Sequence, residues 1–406
     1  MSERRVGGSH YDVLVVGGGP AGTSTAILLA ERGHRVAVVD RARFPRVKAC
    51  AEFVNPEALR ILDRLGLLER ARAAGGVEFH GMRLISPGGH QTLLDFYADA
   101  QRSALGVSRL VLDQLAIERC RALGVEVMEG TQVRGVLREG TQVIGVRASQ
   151  AGQHVELLAR VVVGADGHHS AVSRELGLDR PRAWPRRIGL AAHYQDFPLD
   201  DALGEMHVGR DGYCGVAPQE GGLVNVAMVV ELKRVEERVG SVAEFFERAL
   251  ATYPGLRERV GVARRVTPVR GVGPLARRVQ RVSGDGFLLV GDAAGFFDPF
   301  TGEGIVDALR GGELAAEAIN AALLRGDVSA HGLAAYAVAR KQIFQRKRRA
   351  AWLVQAFVRS PGLMDYVVRR IADRDDCASA LTGVFGDYRD AGVVLSPRFL
   401  WRTLRP

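Results

Sequence analysis

Tyr11-Asp12-Val13-Leu14-Val15-Val16-Gly17-Gly18-Gly19-Pro20-Ala21-Gly22 is the stretch whose reading decides the fold. An apolar, β-branched run stops at glycines on the G-x-G-x-x-G spacing, and a helical pattern from Ala21 to Arg32 follows and closes at Gly33. The spacing predicts strand, tight turn and helix. Gly17 permits the turn, Gly19 lets the backbone approach a pyrophosphate, and Gly22 allows helix and strand to pack closely. The helix that starts at Pro20 and Ala21 presents unpaired backbone N–H groups at the positive end of its dipole. A second strand, Val36–Val39, ends in Asp40, where an acid can hydrogen-bond an adenosine ribose hydroxyl. A glycine-rich turn with no ligand would share the first feature, but strand, helix, second strand and terminal acid together favour a dinucleotide site.

The chain has 406 residues, near-average in apolar and charged content, which is enough for one large or two interleaved domains with a sizeable core. Met1–His10 carries charge but no apolar signal-peptide core, and no later run approaches bilayer-spanning length, so a cytoplasmic protein is expected. Cys50, Cys120, Cys214 and Cys377 are scattered without a C-x-x-C pair or nearby histidines, which argues against a disulfide framework or a metal site. The net charge of +9 comes from arginines spread along the chain. No helix-turn-helix, finger or RNA-binding signature accompanies it, so nucleic acid is not the expected partner.

Asn55-Pro56 reads as a helix N-cap followed by proline at the first helical position, and it makes 41–54 a loop held between a strand and an amphipathic helix. Met82–Ser86 and Gln91–Phe96 flank Pro87-Gly88-Gly89, a hairpin that belongs outside a parallel sheet. A helix is predicted from Arg109 to Leu123. Val125–Met128, Gln132–Leu137, Gln142–Ala148 and His154–Val163 read as successive strands of a small antiparallel meander. Its last strand ends in Gly164-Ala165-Asp166-Gly167, an acid at a strand-to-helix junction like that of the first turn, or an ordinary strand-end turn. Residues 188–231 are strand-rich, with no helix expected before the capping box Ser241–Glu244. The chain returns with an apolar strand ending in Gly291-Asp292, then Pro299-Phe300-Thr301-Gly302-Glu303-Gly304-Ile305 and a long helix.

Three strand ends thus carry acid and glycine, as a cofactor with two phosphates, two sugars and a planar head would require. In this the chain resembles the large flavoprotein family that includes para-hydroxybenzoate hydroxylase and the geranylgeranyl reductases. The resemblance spans 11–330 and rests on the Gly17–Gly22 turn, Asp166-Gly167 and Gly291-Asp292-Ala293-Ala294-Gly295. It implies an α/β architecture: a Rossmann-like FAD-binding domain, an interleaved antiparallel β-sheet substrate domain and a helical C-terminal cap. The FAD domain would comprise 1–75, 101–180 and 276–330, the substrate domain 76–100 and 181–275, and the cap 331–406. By position, Gly17, Gly19 and Gly22 would line the pyrophosphate, Asp40 the adenosine ribose and Asp292 the ribityl chain, with Arg109 a further FAD contact. Arg41, Lys48, Asp166 and Gly291 join them as candidates. The backbone around Gly302 and Gly304 would meet the isoalloxazine ring, its N–H groups stabilising negative charge on reduced flavin.

Within that family, Lys48-Ala49-Cys50-Ala51-Glu52 and the 299–305 segment resemble the geranylgeranyl reductase branch. Ala51 stands where that branch commonly has glycine. Tyr213-Cys214-Gly215-Val216-Ala217-Pro218 lacks two of the large aromatics of its tyrosine-x-tryptophan-x-phenylalanine-proline segment, implying a more open pocket wall. The tryptophan motif of the flavin halogenases is absent, since the chain's tryptophans are Trp184, Trp352 and Trp401. The expected reaction is double-bond reduction of an apolar isoprenoid- or polyketide-like molecule, with NAD(P)H as transient reductant because no second dinucleotide turn is visible. Hydroxylation by an NAD(P)H-dependent monooxygenase is the alternative, and a non-catalytic lipid carrier a remote one. Cys50 fits either a proton donor or a loop thiol without a chemical role. Tyr213 fits either a pocket wall or sheet packing. His168 and His169 read as surface or turn residues. From 333 to 359, apolar residues alternate with Arg340, Lys341, Arg346, Lys347, Arg348 and Arg349. This basic amphipathic helix either packs on its own protein with its charge in water or makes peripheral contact with an anionic membrane.

Overall fold

Two eight-stranded sheets, with a two-stranded and a three-stranded one beside them, organise the chain in a computed structural model that describes residues 10–182, 184–200 and 202–405. Met1–Ser9, most of the charged N-terminal stretch, lie outside the described residues. In the first sheet His10–Val16 runs parallel to Val36–Asp40 on one side and to Gln153–Gly164 on the other, and Phe287–Leu289 extends it beyond Gln153–Gly164. The side chains alternate with the pleat. Val13, Val15, Val36, Val38, Val161 and Val163 pack with the helices Pro20–Ala30, Arg109–Ala122 and Gly304–Arg325. Leu14, Val16, Ala37, Val39 and Val162 face the opposite side, beneath Thr131–Glu139 and Gln142–Gln150. Each fully buried valine or leucine contributes about 1.5–3 kcal/mol relative to exposure, which makes the alternation the principal determinant of register.

The predicted meander is correct from Thr131 onward, where three strands pair antiparallel in sequence. Its first expected strand departs from the prediction: Glu126–Glu129 pairs parallel with Val36–Asp40. The helix Arg109–Ala122 supplies the crossover that parallel pairing requires, so the chain returns in the direction of its predecessor.

The second sheet orders Arg187–Gln195, Val224–Glu231, Gly212–Pro218 and Leu203–Val208 antiparallel, and the hairpin Gly81–Ile85/Gln91–Asp95 joins its edge through parallel pairing to Leu203–Val208. Met206, Tyr213 and Val229 point to one face, with Phe53 and Phe300. Cys214, Val216, Val226 and Met228 point to the other, under the helix Val242–Leu250 with its Ser241/Glu244 capping box. A five-residue helix, Leu232–Glu236, precedes that box where none was expected; its one turn buries Val235 in the same cluster.

The C-terminal helices Ala334–Val358, Pro361–Ala372, Asp375–Phe385 and Pro397–Leu404 bridge the two halves. Tyr336 donates to the Leu289 carbonyl of the first sheet at 2.7 Å, whereas Val358, Met364, Val368 and Phe385 join the core of the second. Among the described residues no helix is long and apolar enough to cross a membrane.

Asn55 ties this cap to the loop beneath it. Its Oδ1 accepts from Ala58 N at 3.0 Å and its Nδ2 donates to the Phe385 carbonyl at 3.4 Å. Asn55→Ala is expected to lower unfolding stability by about 0.5–2 kcal/mol, read as a shift in the denaturant midpoint at unchanged slope.

Candidate active site

Gly17 lies at φ +109°, and a Cβ there would come within 2.4 Å of the Ala165 carbonyl; a Cβ on Gly22 would come within 1.8 Å of the Gly17 carbonyl. Only glycine therefore fits where the first strand, the first helix and the end of Gln153–Gly164 meet. Gly19 caps the helix, and the space a Cβ would fill there is faced by Arg46 Nη2 at 3.3 Å and Arg109 Nη2 at 3.6 Å. A helix N-terminus flanked by two guanidinium groups is an anion cradle.

The two acids read as ligand contacts also serve the backbone. Asp40 accepts from Gly18 N and from Ala42 N, each at 2.8 Å, so it holds the glycine turn and the end of its own strand. Asp166 accepts from Ala171 N at 2.6 Å, at the start of the helix Ala171–Glu175 whose N-cap is Ser170, so this acid too stands where a strand gives way to a helix. Its Oδ1 is buried with no hydrogen-bond partner among the described residues, and burial raises its pKa.

Two confluent hollows run along these residues. The open groove, about 2500 Å³ counting solvent, is lined by Gly17, Asp40, Arg41 and Asp166. It meets a more apolar cavity of about 1270 Å³ at Gly19, Lys48 and Gly167. Pro20, Ala21, Arg109, Gly291, Asp292, Gly302 and Gly304 line that cavity on the parallel-sheet side. Gly22 lines neither hollow and acts only by packing. Lys48, whose pKa is lowered by burial and then by Arg109, stands at the junction. Gly302, at φ +69°, lies against Phe53 and joins the 299–305 turn to the Cys50 loop.

Cys50 lies on the cavity wall. Its sulfur accepts from Glu52 N at 3.4 Å and contacts the Arg109 guanidinium. Sequence reasoning missed the group that fixes this loop. Glu52, buried and at φ +54°, accepts the Arg109 backbone N–H at 2.9 Å, Asn225 Nδ2 at 3.0 Å, and shares a 2.7 Å bond with His193 Nε2. Its partners lie far away in sequence, and nothing local signals them.

Tyr213 lines the cavity with its ring while its hydroxyl donates to Asp298 at 2.5 Å. Burial, and then Asp298, push the phenol well above its ordinary pKa. Asp298 also takes Arg187 Nη1 at 3.2 Å, a buried triad signalled in sequence only by the acid before Pro299. His168 and His169 form a turn, as expected, but His168 is not at the surface: it is buried in the cavity wall and its Nε2 lies 2.5 Å from the Pro274 carbonyl. The loop at Pro274 folds over it, which the dipeptide His168-His169 does not disclose.

The sequence pattern of the FAD binding domain family matches residues 10–351. The chain belongs to that family. Digeranylgeranylglycerophospholipid reductase of Methanothrix thermoacetophila is 30% identical over 96% of this chain and 97% of its own length. 6-Methylpretetramide 4-monooxygenase of Streptomyces rimosus is 29% identical over 89% of this chain and 88% of its own. The similarity therefore runs past residue 330, where the motif resemblance ends. In fold, the chain is similar to the flavin-dependent brominase Bmp2 (TM-score 0.83, 23% identity, covering 95% of this chain and 97% of that one). It is likewise similar to a geranylgeranyl bacteriochlorophyll reductase-like protein from Thermoplasma acidophilum (TM-score 0.78, 22% identity, covering 95% and 98%). The protein is an FAD-dependent oxidoreductase. The anion cradle at Gly19, the unpartnered Asp166 Oδ1 and the two confluent hollows fit an extended dinucleotide.

Glu303 heads the long helix after the 299–305 turn, and its pKa is pushed up to about 7 by burial, with Lys347 opposing. A carboxyl raised above its unfolded value binds its proton more tightly in the folded state. Its cost to stability therefore grows as pH rises from the ordinary carboxylate range and is complete above about 7. Glu303→Gln is expected to stabilise the protein at pH 8, on the order of 1–2 kcal/mol, and less at pH 5, measured by thermal unfolding at both values.

Proposed function

We propose that the protein reduces a carbon–carbon double bond of an apolar isoprenoid- or polyketide-like molecule, with NAD(P)H as the ultimate reductant. The observation that carries this reading is Cys50, a thiol on the wall of a largely apolar cavity, with a cation and a backbone N–H beside its sulfur. Gly17 and Gly19 would shape the pyrophosphate site, with Gly22 packing behind them, Asp40, Arg41 and Asp166 the adenosine side, and Gly291, Asp292, Gly302 and Gly304 the flavin side. FAD bound there supplies the two-electron redox chemistry. The chain's own contribution is position, water exclusion and a proton. A proton leaving Cys50 Sγ leaves a thiolate met by Glu52 N–H and the Arg109 guanidinium. Leu190, Met206, Val229 and Leu275 supply an apolar surface, and the Tyr213 ring closes it.

A monooxygenase reading has its own support in the Streptomyces relative and in Gly215, where no side chain narrows the wall. The two readings separate without oxygen. Holoenzyme reduced by dithionite under anaerobic conditions is expected to regain its oxidised flavin spectrum when a geranylgeranyl-bearing lipid is added. Strict oxygen dependence, with label from oxygen gas in the product, would decide for hydroxylation.

Cys50→Ser is expected to keep the flavin spectrum and FAD content while turnover falls about 10²-fold, the scale of a positioned proton donor. Full turnover at saturating substrate would reduce Cys50 to a wall residue.

A further inference from the structure

Behind the 299–305 turn lies another hollow, about 800 Å³ counting its mouth, between the paired strands Asp179–Pro181 and Arg277–Val279 and the helix Ala334–Val358. Arg340, Phe344, Lys347, Arg348 and Ala351 recur on one helical face and line it. Part of the basic stripe expected to face water or lipid is thus turned toward an internal hollow. Arg182 and Arg278 enter from the opposite wall.

The basic groups here fall into two sets. Lys347 is neutralised by Asp307 at 2.8 Å and Asp387 at 2.7 Å, and Arg277 by Asp179. Arg182, Arg278, Arg340 and Arg348 have no carboxylate at ion-pair distance among the described residues. Nε of Arg182 is buried with no hydrogen-bond partner among them. Burial and then Arg278 lower the pKa of Arg182, and burial followed by Arg340 and Arg182 lowers that of Arg348. The acids that also line the hollow already face other cations: Asp298 is paired with Arg187, Asp307 with Lys347, and Glu303, its pKa pushed up to about 7 by burial, has Lys347 as its main opposing charge. Arg182 lies over Phe297 at 5.6 Å and Arg340 over Phe344 at 5.1 Å, so stacking fixes two guanidinium planes before any ligand arrives.

Four guanidinium groups held together with no carboxylate at ion-pair distance among the described residues repel one another, and a tetrahedral polyanion relieves that repulsion while matching guanidinium forks. We propose that this hollow binds the phosphate or diphosphate group of an organic ligand, at a site distinct from the Gly19 cradle. It shares Phe296 and Gly304 with the apolar cavity, so its ligand would lie against the turn that forms the flavin side of the active site. The same chemistry is offered by a phosphorylated nicotinamide dinucleotide and by an anionic lipid headgroup, and the site holds whichever reaction the enzyme performs.

The Trp184 and Trp352 rings pack tilted at 5.1 Å, and Trp352 packs on Phe297 at 4.8 Å, which places a fluorescent reporter at the edge of the hollow. Titrating the holoenzyme with inorganic pyrophosphate is expected to give a saturable fluorescence change. Arg278→Gln and Arg348→Gln should each raise Kd about tenfold, with FAD content unchanged. Arg346→Gln, on the same helix but paired with Asp390, should leave Kd within about twofold, since an exposed pair contributes little. Absence of saturation, or an equal effect of Arg346→Gln, would overturn the proposal. Competition by NADPH would assign the site to the dinucleotide, and competition by phosphatidate vesicles but not NADPH to a headgroup. Competition by neither would overturn an organic ligand.

Discussion

The buried pair of Arg109 and Asp113 is the interaction on which the site depends. Asp113 takes Arg109 Nε and Nη2 at 2.8 Å each and receives Arg46 at 3.1 Å, so one carboxylate orients two guanidinium groups toward Gly19. Both members are nearly inaccessible to water. A buried ion pair of this kind adds little net stability, but losing one partner strands a charge in a low dielectric, at a cost of about 3–5 kcal/mol. Its value here is geometric: the head of the helix Arg109–Ala122 cannot move relative to the glycine turn. Glu52 extends the constraint, binding the Arg109 N–H with one oxygen and His193 and Asn225 of the second sheet with the other. The Cys50 loop is thereby locked to both halves of the molecule, and the thiol is presented from a fixed wall.

The parts legible in the sequence are those whose cause is local. The valines at 13, 15, 36 and 38 alternate with residues facing the other side because a strand has a period of two, and the burial follows that period residue by residue. Asn55 and the Ser241/Glu244 box disclose themselves because a cap bonds backbone only a few positions away. The glycine turn does so because its φ and its contacts exclude a Cβ. The partner of Glu126–Glu129 was not legible, since strand direction follows from the crossover and not from the strand's own residues. Nor was Glu52, whose partners lie 57, 141 and 173 positions away. The same holds for His168, buried by the distant Pro274 turn, and for the basic face of the C-terminal helix, whose inward orientation depends on strands at 179–181 and 277–279.

The cavity wall opposite the glycine turn is built from small residues, Gly189, Ala191, Gly215 and Ala227, set among Leu190, Met206 and Val229. Such a wall discriminates weakly, because an apolar contact distinguishes substrates by only about 1–3 kcal/mol per methylene. Sharper selection requires polar atoms, and the pocket's are largely committed. The Tyr213 hydroxyl is held by Asp298, and His168 Nε2 faces the Pro274 carbonyl. Width and apolarity therefore set which molecules enter, and the choice of reaction passes to what supplies a proton and what excludes oxygen. A frame that leaves those two variables to a few wall residues can host a reductase in one relative and a monooxygenase in another without changing its sheets.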